Sequence, residues 1–261
     1  MQRLAVRAIS GKDRDMRMAA ISDIHGNIDA LEAVLADIAR RGIGRVVNLG
    51  DSLSGAFDGA ATAERLMALD LPTVRGNHDR QLCDRPREEM GVWEAWVIGD
   101  LDAAHLDWVR TLPAVLRVEG ALLCHATPES DEVNWLDHRG PGQRLVARDR
   151  NAVEARLGGA SEGLILCGHT HTPRVVRLAG GQMILNPGAV GCPAYLDTRM
   201  EPNFIHQTGA PDARYAVVER AGGEWRAEMV AVPYDPSRMA AMARAKGAES
   251  WAQAVETGWI T

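Results

Sequence analysis

From Arg17 onward, short apolar runs of strand type alternate with amphipathic helical runs, and this alternation restricts the chain to an α/β architecture. "MRMAAIS" reads as a strand. "NIDALEAVLADIARRG" then places Ile28, Leu31, Val34, Leu35 and Ile38 at helical spacing, with Gly42 as a C-terminal stop. "RVVNLG" reads as a second strand, "AATAERLMALD" as a second helix and "LPTVRG" as a third strand. Further on, "AVLRVEGALLCH" and "RVVRLAGGQMILNPG" read as hairpins turning at Glu119–Gly120 and at Gly180–Gly181. "RLVARDRNAVEARLGG" reads as a helix, "LIL" before "CGHTHTP" as a strand, "RYAVVER" and "EWRAEMVAV" as two more. A helix is expected from Ser237 to about Val255.

No repeat, low-complexity segment or linker divides this pattern, and α/β folds of about 250 residues commonly form one unit. Residues 16–261 therefore read as a single domain, preceded at 1–15 by a poorly ordered extension or a mis-assigned start. Residues 80–112 read as a helical insert holding Trp93, Trp96 and Trp108, either a packing stripe or a substrate-facing cap.

The 261 residues are 46% hydrophobic and 25% charged, as in ordinary globular proteins. A formal charge of -6 argues against a dedicated nucleic-acid binder. No apolar run reaches the roughly 18 residues of a membrane span, and no signal peptide opens the chain, so a cytoplasmic protein is expected. Cys83, Cys124, Cys167 and Cys192 form no CxxC pair and read as buried thiols. The sequence leaves the oligomeric state open.

Metal-competent residues gather where predicted strands end. "SDIHGN" carries Asp23 and His25, "LGD" Asp51, "RGNHD" Asn77 and His78, "LLCHATP" His125, and "CGHTHTP" His169 and His171. In α/β sheets ligands bind beyond the carboxyl ends of strands, so these distant loops can converge. Two carboxylates, an amide oxygen and four imidazoles, without thiolate, suit divalent Mn, Fe, Co, Ni or Zn. Seven donors exceed the need of one ion and fit two ions sharing a carboxylate, an arrangement that draws in phosphate esters.

In order, these stretches match D-x-H, G-D, G-N-H, H and G-H-x-H, and the chain thereby resembles the calcineurin-like metallophosphoesterases over most of its length. The "NPGAVG" stretch, Asn186 to Gly191, is similar to the smaller bacterial and archaeal phosphodiesterase branch. The resemblance implies a four-layer αββα sandwich of two mixed β-sheets flanked by helices. It implies that Asp23, His25 and His171 hold one divalent ion, that Asn77, His125 and His169 hold the other, and that Asp51 bridges them. It further implies a small phosphate-ester substrate, most simply a phosphodiester, cleaved by in-line attack of a metal-bridging hydroxide; the alternatives are a phosphomonoester, a nuclease substrate, or a binding or scaffold protein that keeps the fold without the chemistry. His78 would protonate the leaving oxygen or stabilise its charge, unless it only orients its loop, and Asn77, His78 and Arg80, with Arg75, would steady the phosphate. His105, His138 and His206 match no motif and read as structural.

Two departures matter. Serine/threonine protein phosphatases and symmetrical dinucleoside-tetraphosphate hydrolases extend the second motif to G-D-x-x-D-R-G, whereas "GDSLSGA" puts Ser54 and Gly55 at the Asp and Arg positions. The lost arginine would clamp phosphate and the lost carboxylate would orient His78. Ala126 also follows His125 where glycine is usual, which narrows the approach to the second ion.

Overall fold

The computed structural model describes residues 16–198 and 203–261, and the reading made for residues 1–15 lies outside them. β1 (Met16–Ile21) leads into α1 (Ile28–Arg40), whose N-cap Asn27 accepts from the Ala30 amide at 3.0 Å. β2 (Val46–Asn48), α2 (Gly59–Leu69), α3 (Asn77–Asp84), α4 (Val92–Ala95) and α5 (Ala103–Thr111) follow. β3 (Val115–Val118) and β4 (Ala121–Cys124) form the first hairpin, where Glu119 and Gly120 both take positive φ, as such a two-residue turn requires. Next come β5 (Asp137–Arg139), β6 (Leu145–Ala147), α6 (Arg150–Glu154) and β7 (Leu164–Leu166). β8 (Arg174–Arg177) and β9 (Met183–Asn186) make the second hairpin. The chain closes with β10 (Ala194–Asp197), β11 (Phe204–Gln207), β12 (Ala213–Ala221), β13 (Glu224–Val232), α7 (Ser237–Ala245) and α8 (Glu249–Thr257).

Two mixed sheets face each other. The first has the order β13-β12-β1-β2, with β1 parallel to β2 and antiparallel to β12. The second has the order β3-β4-β7-β9-β8, its three inner strands parallel and its edges antiparallel. Side-chain alternation divides the layers. Met18, Ala20, Val47 and Leu49 pack inward against Leu123, Leu164, Leu166 and Leu185. Ala19 and Ile21 point the other way, onto Leu31 and Val34 of α1 and Met239, Trp251 and Val255 of α7 and α8. On the far side, Leu122, Ile165 and Ile184 lie beneath Val153 of α6 and beneath Trp135 and Leu136, which precede β5. The result is the expected αββα sandwich, with a thin outer layer over the second sheet.

Some elements differ from the sequence reading for identifiable reasons. "LPTVRG" forms only a bridge from Thr73 to Asn48, because Pro72 has no amide with which to extend the ladder. "RLVARDRNAVEARLGG" splits into β6, paired with β5, and the short α6, which starts only where Asp149 caps the Ala152 amide at 3.0 Å. The insert is broken near Pro86 and Gly91 and restarts at the Asp102 cap of α5, and Gly247 separates α7 from α8. Cys124, Cys167 and Cys192 are buried free thiols and Cys83 is half-buried. Among the described residues, no helix is long and apolar enough to cross a membrane.

Leu164 is fully buried between the sheets, on the half of β7 remote from its carboxyl end. Leu164→Ala is expected to cost about 2–5 kcal/mol in urea-induced unfolding. Val175→Ala, at a position 40% exposed, should stay within about 0.5 kcal/mol. Equal costs at the two sites would contradict the layer assignment.

Candidate metal centre

The carboxyl ends of β1, β2, β4 and β7 and the start of α3 bring all seven sequence-predicted donors together. Asp23, His25 and His171 place one donor atom each within 4.8 Å of one another, and so do Asp51, His125 and His169. The bridging backbone is dense. His25 donates its amide to the Asp51 carbonyl at 3.0 Å, and Gly168 donates to the His125 carbonyl at 2.7 Å. The "NPGAVG" turn joins in through Val190, whose amide donates to the Ser22 carbonyl at 2.9 Å. A side chain at Gly168 would put its Cβ 1.9 Å from Ser22 Oγ, so glycine before His169 is a steric requirement.

Each imidazole is fixed by its outward nitrogen. His25 Nδ1 faces the Ser54 carbonyl at 2.9 Å, His125 Nδ1 the Leu49 carbonyl at 2.7 Å and His171 Nδ1 the Cys192 carbonyl at 2.8 Å. His169 is reversed, with Nε2 facing the Glu132 carbonyl at 3.0 Å. A carbonyl only accepts, so each of those nitrogens carries hydrogen, and at His25, His169 and His171 the other presents a lone pair inward. Carbonyls in this position are the usual outer partners of metal-bound histidine.

In the first cluster the inward atoms consequently meet as acceptors. His25 Nε2 and His171 Nε2 stand 3.2 Å apart, and burial lowers His25 to about 4 and holds His171 well below the ordinary imidazole range, so both rings are neutral. His125 Nε2 lies 3.1 Å from Asp51 Oδ2. Burial disfavours charge on His125, but Asp51 outweighs it and pushes the ring up to about 10. Burial likewise opposes ionisation of Asp51, yet His125 and His78 hold it well below the usual carboxylate range. Burial pushes Asp23 up to about 7. Asn77 turns its amide towards His125 Nε2 and His169 Nδ1, 3.2 and 3.0 Å away. With nitrogen inward the amide donates to both rings; with oxygen inward it adds an acceptor to theirs. Oxygen and imidazole donors of this kind fit a borderline divalent ion, and the structure supplies two such sets.

His78 and Arg80 occupy the rim. The His78 amide donates to Asp51 Oδ1 at 2.9 Å, and its ring stacks on Trp93 with centroids 4.7 Å apart. Arg80, expected to steady phosphate oxygens, donates from Nε to Asp131 at 2.6 Å and from Nη2 to Glu132 at 2.8 Å. The sequence reading missed Asp79, which is fully buried and accepts from the amides of Asp51 at 2.7 Å, Ser52 at 2.9 Å and Gly76 at 3.1 Å. Its position in the first turn of a helix beginning at Asn77 was the available signal. The reading also missed Glu94, which bonds His78, and Tyr195, whose ring lies 4.8 Å from that of His171. Of the histidines read as structural, His105 caps α5, His138 lies on β5 and His206 is buried beside Tyr195.

The fold and the paired Asp/His clusters at its strand ends define a class, the αββα phosphoesterases with a centre suited to two metal ions. The model of the calcineurin-like phosphoesterase superfamily domain matches residues 16–204, and the chain belongs to that superfamily. An uncharacterized protein, MJ0912, of Methanocaldococcus jannaschii is 27% identical over 233 residues, spanning 84% of this chain and 88% of its own. The crystal structure of a metallophosphoesterase from Sphaerobacter thermophilus superposes with a TM-score of 0.72 at 26% identity, covering 94% of this chain and all of that one. The hypothetical protein PH1004 from Pyrococcus horikoshii shares the fold, with a TM-score of 0.68 at 16% identity over 94% of this chain and 99% of its own.

At about pH 6 Asp23 and His125 both hold a proton, and each must release it before its donor atom can bind a cation. Loading with Mn at that pH is expected to release protons, read by calorimetry in two buffers of different ionisation heat. Affinity should rise as pH increases from about 5 to 7. Proton-neutral, pH-independent uptake would contradict these protonation states.

Proposed function

We propose that the protein is a dinuclear metal-dependent phosphoesterase that hydrolyses a small phosphodiester. The observation that carries this reading is the pair of Asp/His clusters whose inward nitrogens face other acceptors while their outward nitrogens are tied to carbonyls. In this reading Asp23, His25 and His171 hold one divalent ion, Asn77, His125 and His169 hold the other, and Asp51 contacts both. Mn, Fe, Co, Ni and Zn all suit the donor set. When bound, two such ions supply Lewis acidity and an activated water for in-line attack at phosphorus.

The chain's own residues do the rest. Asp51 accepts the His78 amide and so holds that residue against the metal centre. The His78 imidazole donates a proton to the leaving alkoxide, a role suited to a ring at the rim of a buried site. Asp131 and Glu132 border the second cluster, with Arg80 neutralising part of their charge. An acidic border favours a diester with one negative charge over a dianionic monoester.

The test is hydrolysis by the Mn-loaded protein of natural diesters and monoesters, with bis-nitrophenyl phosphate compared against nitrophenyl phosphate and metal counted by elemental analysis. Two metals per chain and a higher kcat/KM for diesters are expected. His78→Ala should keep both metals and lose about 10²–10⁴-fold with an alkoxide leaving group. Asp51→Asn should lose metal and activity together, and His169→Ala and His171→Ala should each weaken a different ion. A loaded protein inert towards both ester classes would sink the reading.

A further inference from the structure

Glu94 is a carboxylate only 1% exposed, on the four-residue helix α4, and no motif marks it. Its Oε1 bonds His78 Nδ1 directly. Trp93, the preceding residue, stacks on the same imidazole with rings 15° from parallel. The His78 amide is held by Asp51, and the His25 ring stands edge-on with its centroid 5.6 Å away. The imidazole is thus fixed through its backbone, its face and one nitrogen.

α4 is itself anchored. The Gly55 amide donates to the Trp93 carbonyl at 3.0 Å, and Lys246 Nζ donates to the Trp96 carbonyl at 2.9 Å and to Asp100 at 2.8 Å. Trp251 of α8 packs edge-on against Trp93 with centroids 4.8 Å apart. Ser54, which stands where a related motif carries a carboxylate, has its carbonyl 2.9 Å and its hydroxyl 3.3 Å from His25 Nδ1. The local motif therefore supports His25, while the carboxylate on His78 comes from the insert.

We infer that Glu94 is the positioning residue of His78: it accepts a hydrogen bond from Nδ1–H, fixes the tautomer and assigns proton exchange to Nε2. This rests on the phosphoesterase reading. When the ester P–O bond breaks, its electron pair stays on the leaving oxygen, which takes the Nε2 proton of the doubly protonated ring. His78 returns to neutral, keeping its proton on Nδ1, where it is hydrogen-bonded to Glu94. A carboxylate behind an imidazole acts by orientation and by stabilising the imidazolium.

The experiment compares wild type, Glu94→Gln, Glu94→Ala, His78→Ala and the Glu94→Gln/His78→Ala double variant. Each is assayed metal-loaded on diesters with nitrophenolate and with alkoxide leaving groups, and Glu94→Gln preserves the buried shape should Glu94→Ala misfold. With the alkoxide, Glu94→Gln is expected to lose about 10²-fold or more in kcat while KM stays within about twofold and metal content is unchanged. With nitrophenolate the loss should be under about tenfold, and the double variant should be no slower than His78→Ala. A second readout is a downfield Nδ1 proton resonance of His78 in the Zn-loaded protein, absent from Glu94→Gln. Equal losses with both leaving groups, an additive loss in the double variant, or a resonance that survives Glu94→Gln would each overturn the assignment. Should wild type cleave no phosphoester, the phosphoesterase reading falls, and the resonance alone decides whether Glu94 holds the ring.

Discussion

Acceptor atoms that point at one another in a place closed to bulk water are the constraint on which this molecule turns. His25 and His171 could relieve the contact between their Nε2 atoms only by rotating, and each ring is tethered to a carbonyl on its far side. The backbone is held just as firmly. Asp23, His25, Asp51, His169 and His171 all have φ between 50° and 71°, a left-handed region that costs a non-glycine residue roughly 1–2 kcal/mol. Such strain persists only where surrounding structure over-determines it. Here the two-sheet core supplies that rigidity, and a divalent cation would remove the repulsion the core sustains.

The second constraint is the space around His25. At Gly55 a side chain would bring its Cβ within 2.7 Å of both the His25 carbonyl and the Trp251 ring, and φ there is +142°. An arginine such as related motifs carry has no room. Trp251 and Trp93 fill that side, set edge-on to His25 at 5.9 and 5.2 Å. The insert and the C-terminal helices thereby replace a charged clamp with an aromatic wall, and the same wall brings Glu94 to His78.

Much of this was legible in the sequence because local chemistry and global fold agree. The strands β1, β2, β4 and β7 announce themselves as apolar runs, and the donors follow them directly, so periodicity and motif point to one place. Glu94 was not legible. Its partner lies 16 residues away, and nothing in "VWEA" distinguishes a buried carboxylate from a solvated one. The ion pairs of Arg80 were not legible either, since Asp131 and Glu132 lie some 50 positions downstream. Element boundaries failed where one residue governs, as at the strand end beside Pro72 and at the helix limits set by Asp149 and Gly247.

The pairing of β1 with β12 gives the chain an order of assembly. Met16 lies opposite Arg220, and Trp251 packs on the His25 ring, so donors at positions 23 to 171 are framed by partners synthesised after them. During translation the coordinating loops emerge before the strand and helix that hold them in shape. A metal held by these loops would therefore find its donors fixed in this geometry only in the finished chain.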